Sequence, residues 1–163
     1  MPIISTMGEK ASALAAKLHA EGERTVRFFR DLNEAQWQSQ IFHDGAQWNV
    51  RGVLEHLIVS ETQLQQLFEA IVRTGVGAPE GMNVDALNLE RTGSLFPLDH
   101  EGMLNYYTRT RRATIEFTQR LTDEQLAIRA RHPAIGESAL EDQLKLIYLH
   151  HQMHVRDVKK ALG

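Results

Sequence analysis

The 163-residue chain contains no cysteine, which excludes a disulfide framework, a thiolate-ligated zinc or iron–sulfur site, and cysteine nucleophile chemistry. Glycine and proline are scarce, at 11 and 4 residues, so a collagenous, low-complexity or disordered chain is excluded as well. There is no cationic excess: 18 Lys and Arg stand against 21 Asp and Glu, a net charge of −3. Nothing is left over to neutralise a phosphate backbone, and nucleic acid is not an expected partner. No stretch reaches the ~18 uninterrupted apolar residues of a membrane span, and Met1 to Lys10 lacks the basic-then-apolar build of a signal peptide. A cytoplasmic location with no membrane partner is the expectation. The spelling of the chain shows no internal repeat, and no Pro/Gly/Ser-rich linker divides it. Residues 1–163 are read as one domain, long enough to bury a core.

What the chain does have is helical periodicity. Behind a Thr6-x-x-Glu9 capping pattern, Met7, Leu14, Leu18, Val26 and Phe29 predict a helix to about Leu32. Asn33 caps a short helix over Glu34 to Gln40, and Ile41 to Gln47 reads as loop. From Trp48 to Thr74, Val50, Val53, Leu54, Leu57, Leu64, Phe68 and Ile71 keep the 3–4 rhythm until Gly75 stops it. Asn83 to Arg91 is compatible with a short helix, broken by Gly93 and Pro97. A third long helix is predicted from Asp99 to Leu121, with an unusually polar middle at Tyr106, Tyr107, Thr110 and Thr114. Thr122 to Leu126 reads as a capped turn, residues 127–138 as loop, and Ser138 to Leu162 as the last helix. Four long helices without a strand pattern predict an all-α bundle with short extra helices in its connections.

Eight histidines are the chemistry the sequence offers. His150 and His154 lie four apart on the last helix, about 40° apart around it and about 6 Å along it, so both imidazoles can reach one ion. On the second long helix, with Val50 at zero and about 100° per residue, the apolar stripe centres near about 330° while His56 falls near about 240°, on its shoulder. His150 and His154 occupy a similar shoulder, and shoulders of neighbouring helices can face each other across a cleft. The same arithmetic puts His151 near its stripe centre, where it competes as partner of His154 or is simply a hydrogen-bonded core residue. His19, His43, His100 and His132 fall on a charged face or in loops and are read as solvated. The Tyr106, Tyr107, Thr110 and Thr114 stripe is either the lining of a polar pocket or core with satisfied hydroxyls. Asp157 is placed either to orient an imidazole or to pair with Lys160. Gly75, Gly77 and Gly81 do not have dinucleotide-fingerprint spacing, and no GxSxG, HExxH or P-loop occurs.

Trp48-Asn-Val-Arg-Gly-Val-Leu-Glu-His56-Leu57 resembles the W-[ST]-[VI]-x-[ED]-x-[LV]-x-H-[LI] segment of the DinB-like (DinB/YfiT) metalloenzyme family. His150-x-x-x-His154-Val-Arg-Asp-Val158 resembles its closing H-x-x-x-H-[LV]-x-x-[IV] segment, and Val84-Asp85-Ala86-Leu87-Asn88 its D-x-[FW]-N stretch. Arg51-Gly52 departs from the acidic residue that many relatives carry. The resemblance implies an up-down-down-up four-helix bundle and a divalent metal, zinc or nickel, held by His56, His150 and His154, with His151 supporting the site without touching the ion. It also implies an enzyme using a low-molecular-weight thiol such as bacillithiol or mycothiol, in the manner of thiol S-transferases and mycothiol-dependent maleylpyruvate isomerases. A metal-dependent hydrolase and a non-catalytic, stress-linked binding protein with a vestigial site are the alternatives. The expected partners are a small-molecule substrate and a second copy of the chain, as a homodimer.

Overall fold

The computed structural model describes residues 8–43, 46–82, 95 and 97–163, with backbone only at 42, 43, 46 and 47. Among the described residues four long helices carry the fold: α1 (Glu9–Arg30), α3 (Val50–Thr74), α4 (His100–Gln119) and α6 (Leu140–Leu162); two short ones, α2 (Glu34–Trp37) and α5 (Asp123–Leu126), sit between them. Their starts follow from capping chemistry. The side chains of Asn33, Asn49, Asp99 and Thr122 each accept the backbone N–H three residues on, satisfying a donor that the first turn leaves unpaired. Glycine ends α3: Gly75 adopts φ 74°, a left-handed cap that a side chain would strain. α1 begins behind Gly8, and Thr6 of the expected capping box lies outside the described residues, as do 83–94 with the expected short helix and the D-x-[FW]-N stretch.

The connections differ from the sequence expectation. Within the segments read as loop, 41–47 and 127–138, and at Gln40, Trp48, Asn49, Ser138 and Ala139, read as helix, the chain forms two antiparallel strand pairs, β1 (Gln40–His43) with β2 (Ala46–Asn49), and β3 (Arg129–His132) with β4 (Gly136–Ala139). Strands of four residues are too short for alternation to declare itself. The chain is also repetitive in form if not in spelling. A capped four-residue helix, a hairpin and a long helix follow one another twice, and each hairpin is tied to its helix by one backbone bond, Val50 N–H to Ser39 C=O and Leu140 N–H to Ile128 C=O.

The core sets the helix directions. One apolar cluster holds Leu14, Leu18, Phe68, Ile71, Phe117, Leu121, Leu144 and Ile147; a second holds Phe29, Val53, Leu57, Met103, Leu104, Tyr107 and Val158. α1 and α6 run from the first cluster to the second, and α3 and α4 run the other way, which makes the bundle up-down-down-up. Around it, α1 contacts α4 and α6, and α3 contacts the same two. No described helix is long and apolar enough to cross a membrane.

Two histidines read as solvated are not. His100 is half-buried and stacks on Trp37 at 4.1 Å. His132 on β3 is only 4% exposed; its Nδ1 accepts the Ala134 N–H at 3.0 Å, so its proton sits on buried Nε2. Burial lowers its pKa to about 4, below the ordinary value of about 6.5 that it regains on unfolding. The unfolded chain therefore takes the proton first, so this contribution to stability is intact above about pH 6.5 and is lost as the pH falls towards 4. Replacing His132 by Gln should flatten the acid limb of a plot of thermal midpoint against pH. Parallel profiles for the two proteins would refute it.

Candidate metal centre

Between the two apolar clusters every long helix contributes polar residues: Glu21 and Thr25 from α1, Ser60 and Glu61 from α3, Thr110, Arg111 and Thr114 from α4, and His151 with His154 from α6, all buried. His56 stands at the edge of this layer on α3. The antiparallel run of α3 and α6 brings His56 level with His150 and His154. The Nε2 atoms of His56 and His150 lie 3.3 Å apart, those of His150 and His154 3.0 Å apart. Ring planes cross at 78°, 71° and 82° in the three pairs, so the imidazoles are turned edge to face around a common point rather than stacked.

That geometry can be tested against an ion. Tetrahedral zinc with bonds of about 2.0–2.1 Å to nitrogen places its ligand atoms about 3.3 Å from one another. The observed separations of 3.0 and 3.3 Å are close to that edge, and one ligand atom from each residue lies within 4.8 Å of the others. The donor set of three imidazoles suits zinc and nickel alike. His56 and His154 are buried and His150 is half-buried, so the cluster is reachable from solvent on the His150 side. Trp48, delivered by β2, stacks its ring on His56 with centroids 4.8 Å apart and tilts towards His154 at 6.1 Å.

His151, left open between ligand and core on spacing alone, does not join the cluster. Its Nδ1 accepts from the Tyr107 hydroxyl at 2.8 Å and from Arg111 Nη2 at 3.0 Å. A guanidinium only donates, so this nitrogen bears no proton, and the Nε2–H is turned towards Glu61 Oε2 at 3.6 Å. Burial above all, then the Arg111 charge, holds its pKa well below the usual imidazole value, and it is neutral. Burial also pushes the Tyr107 hydroxyl up to about 12, keeping it a donor. Counted from Val50 and Leu140, Glu61 and His151 hold the same place in the two halves of the repeat.

Sequence reasoning missed the two charged groups beside His151. Arg111 and Glu61 are 3% and 1% exposed, and Arg111 grips both carboxylate oxygens, Nε to Oε1 at 2.8 Å and Nη2 to Oε2 at 3.1 Å. Burial opposes its charge, but the Glu61 carboxylate more than offsets this and the guanidinium stays protonated. Thr114 Oγ1 donates to Glu61 Oε1, and Gln65 Nε2 donates to Thr114 Oγ1 and to the Thr110 carbonyl. Of the polar stripe singled out on this helix, Tyr107, Thr110 and Thr114 thus belong to the buried layer, while Tyr106 is half-buried beneath Arg109 at 5.2 Å. The one clue in the sequence was Gly22, a glycine in mid-helix with no turn to make.

A family model, the DinB superfamily, matches residues 17–158. Among solved structures, YfiT from Bacillus subtilis, described as "a probable metal-dependent hydrolase with an unusual four-helix bundle topology", superposes with a TM-score of 0.74 at 20% identity, over 99% of this chain and 90% of that one. No curated protein matches the chain in sequence.

Proposed function

The chain belongs to the DinB superfamily, whose model spans residues 17–158, and from that premise we propose that it is a divalent-metal-dependent enzyme holding its ion on His56, His150 and His154. The observation that carries the reading is the convergence of three ring nitrogens from two helices, with no fourth ligating side chain in the group among the described residues. A divalent ion on three neutral imidazoles keeps open positions and lowers the pKa of a water or thiol bound there.

The chain's own residues supply the rest. His56 and His154 bind from the dry side of the site, and the half-buried His150 marks its open edge. Trp48 covers the His56 ring and excludes water from that flank. The group activated in our reading is the sulfur of a low-molecular-weight thiol, and the reaction is S-transfer: the thiol gives up its proton, its sulfur forms a bond to an electrophilic carbon of a small molecule, and the displaced group or the adding π-electrons take up a proton. The resemblance to thiol-using relatives supports it. Hydrolysis is the second reading, favoured by what YfiT is described as doing; it differs only in water replacing the thiol.

Protein purified without a histidine tag and loaded with zinc or nickel should turn over an electrophile with bacillithiol, mycothiol, glutathione or coenzyme A, and only when metal is present. No thiol-dependent turnover, with His154-dependent cleavage of ester or amide probes, would replace transfer by hydrolysis. Inactivity in both assays would leave the non-catalytic binding protein.

A further inference from the structure

The site's two ligand-bearing helices, α3 and α6, are joined through a third. Arg111 on α4 sends its planar fork in three directions: Nε and Nη2 to Glu61 on α3, Nη2 also to His151 on α6, and Nη1 to the Leu18 carbonyl on α1 at 2.9 Å. One side chain thereby touches all the other long helices. Glu61 follows His56 by five residues, and His151 directly follows His150. A ring nitrogen of a helical histidine stands well outside the ~2.3 Å radius of the Cα cylinder, so rotating the helix by 10° shifts it by about 1 Å. A metal site tolerates roughly half of that. We infer that Arg111 is a positioning residue of the three-histidine site, fixing the rotation of α3 against α6 so that His56, His150 and His154 converge.

A second observation points the same way. Gly22 lies in the middle of α1, where glycine is less favourable than alanine, and a Cβ built on it would come within 2.9 Å of Arg111 Cγ and 3.1 Å of Nη1. A side chain at this position would press on both the aliphatic stem and the guanidinium of Arg111. A buried ion pair is at the same time a poor stabiliser, commonly matched or surpassed by packed apolar residues of similar volume, so stability alone does not account for both features.

The inference rests on the three histidines being the metal site, and cobalt(II) separates the two. Wild-type protein should bind about one cobalt per chain with visible ligand-field bands. In Glu61→Met/Arg111→Met both charges go together; Tyr107 still donates to His151, and Thr114 retains its 3.4 Å contact to the Thr110 carbonyl. The apo variant should melt at or above the wild-type temperature, yet bind cobalt about 10- to 100-fold more weakly with displaced bands. Gly22→Ala keeps every charge and improves helix propensity, and should weaken cobalt about 10-fold by displacing Arg111. Wild-type affinity and bands in the folded double variant, or in Gly22→Ala should the double variant not fold, would overturn the inference. A wild-type protein that takes up no cobalt would overturn the site itself, and the inference with it.

Discussion

Alanine at His56, at His150 or at His154 should each reduce bound zinc or nickel from about one ion per chain to below about a tenth after dialysis. Each removes one of the three proposed ligands, and two imidazoles are too few for the sites in which zinc is retained, which use at least three. The helical signal should survive, because the two apolar clusters bury residues from all four long helices without help from an ion. His19→Ala, on the exposed face of α1, should leave metal content unchanged. Metal analysis of tag-free protein beside circular dichroism checks both halves, and stoichiometric metal in all three ligand variants would sink the site. Chelation of the wild type should likewise leave helix content largely in place; a collapse would recast the ion as structural.

How much of this could be read from residues alone depended on range. Helices were legible because periodicity and caps are local: Asn33 and Thr122 each bond three residues on, within one turn of sequence, whereas α3, read from Trp48, begins only at Val50 behind Asn49. The hairpins were not, since four-residue strands such as Gln40–His43 are held by register with a partner rather than by their own pattern. His56, His150 and His154 showed as an i, i+4 pair and a phase on two helices. Spacing could not choose between His150 and His151, and the difference lies in partners forty or more residues away, Tyr107 and Arg111. Glu61 and Arg111 looked like any charged residues on a helix face, because the rule that charge belongs in water is broken only by a pairing that sequence does not display. His132 misled for the same reason, its burial being a property of the β3–β4 hairpin.

Arg111→Met alone should be among the most damaging single substitutions in the chain for stability. The Glu61 carboxylate is 1% exposed and both of its oxygens are held by the guanidinium. With the cation gone, Thr114 Oγ1 remains to donate to Oε1, but a buried negative charge keeps no counter-charge. Removing one partner of such a pair costs about 3–5 kcal/mol, whereas removing both can be neutral or stabilising. For a chain of this length about 1 kcal/mol moves the thermal midpoint by roughly 2–4 °C, so the single variant should melt roughly 10 °C lower at neutral pH. Glu61→Leu should fall by a similar amount, with the buried guanidinium now unmatched. Adding the second substitution to either should bring the midpoint back to or above that of the wild type, a coupling of several kcal/mol that a double-mutant cycle in urea measures directly. Single variants within about 1 kcal/mol of wild type would show the pair to be worth no more than an exposed salt bridge, and the account of a dry polar layer between the two clusters would have to be abandoned.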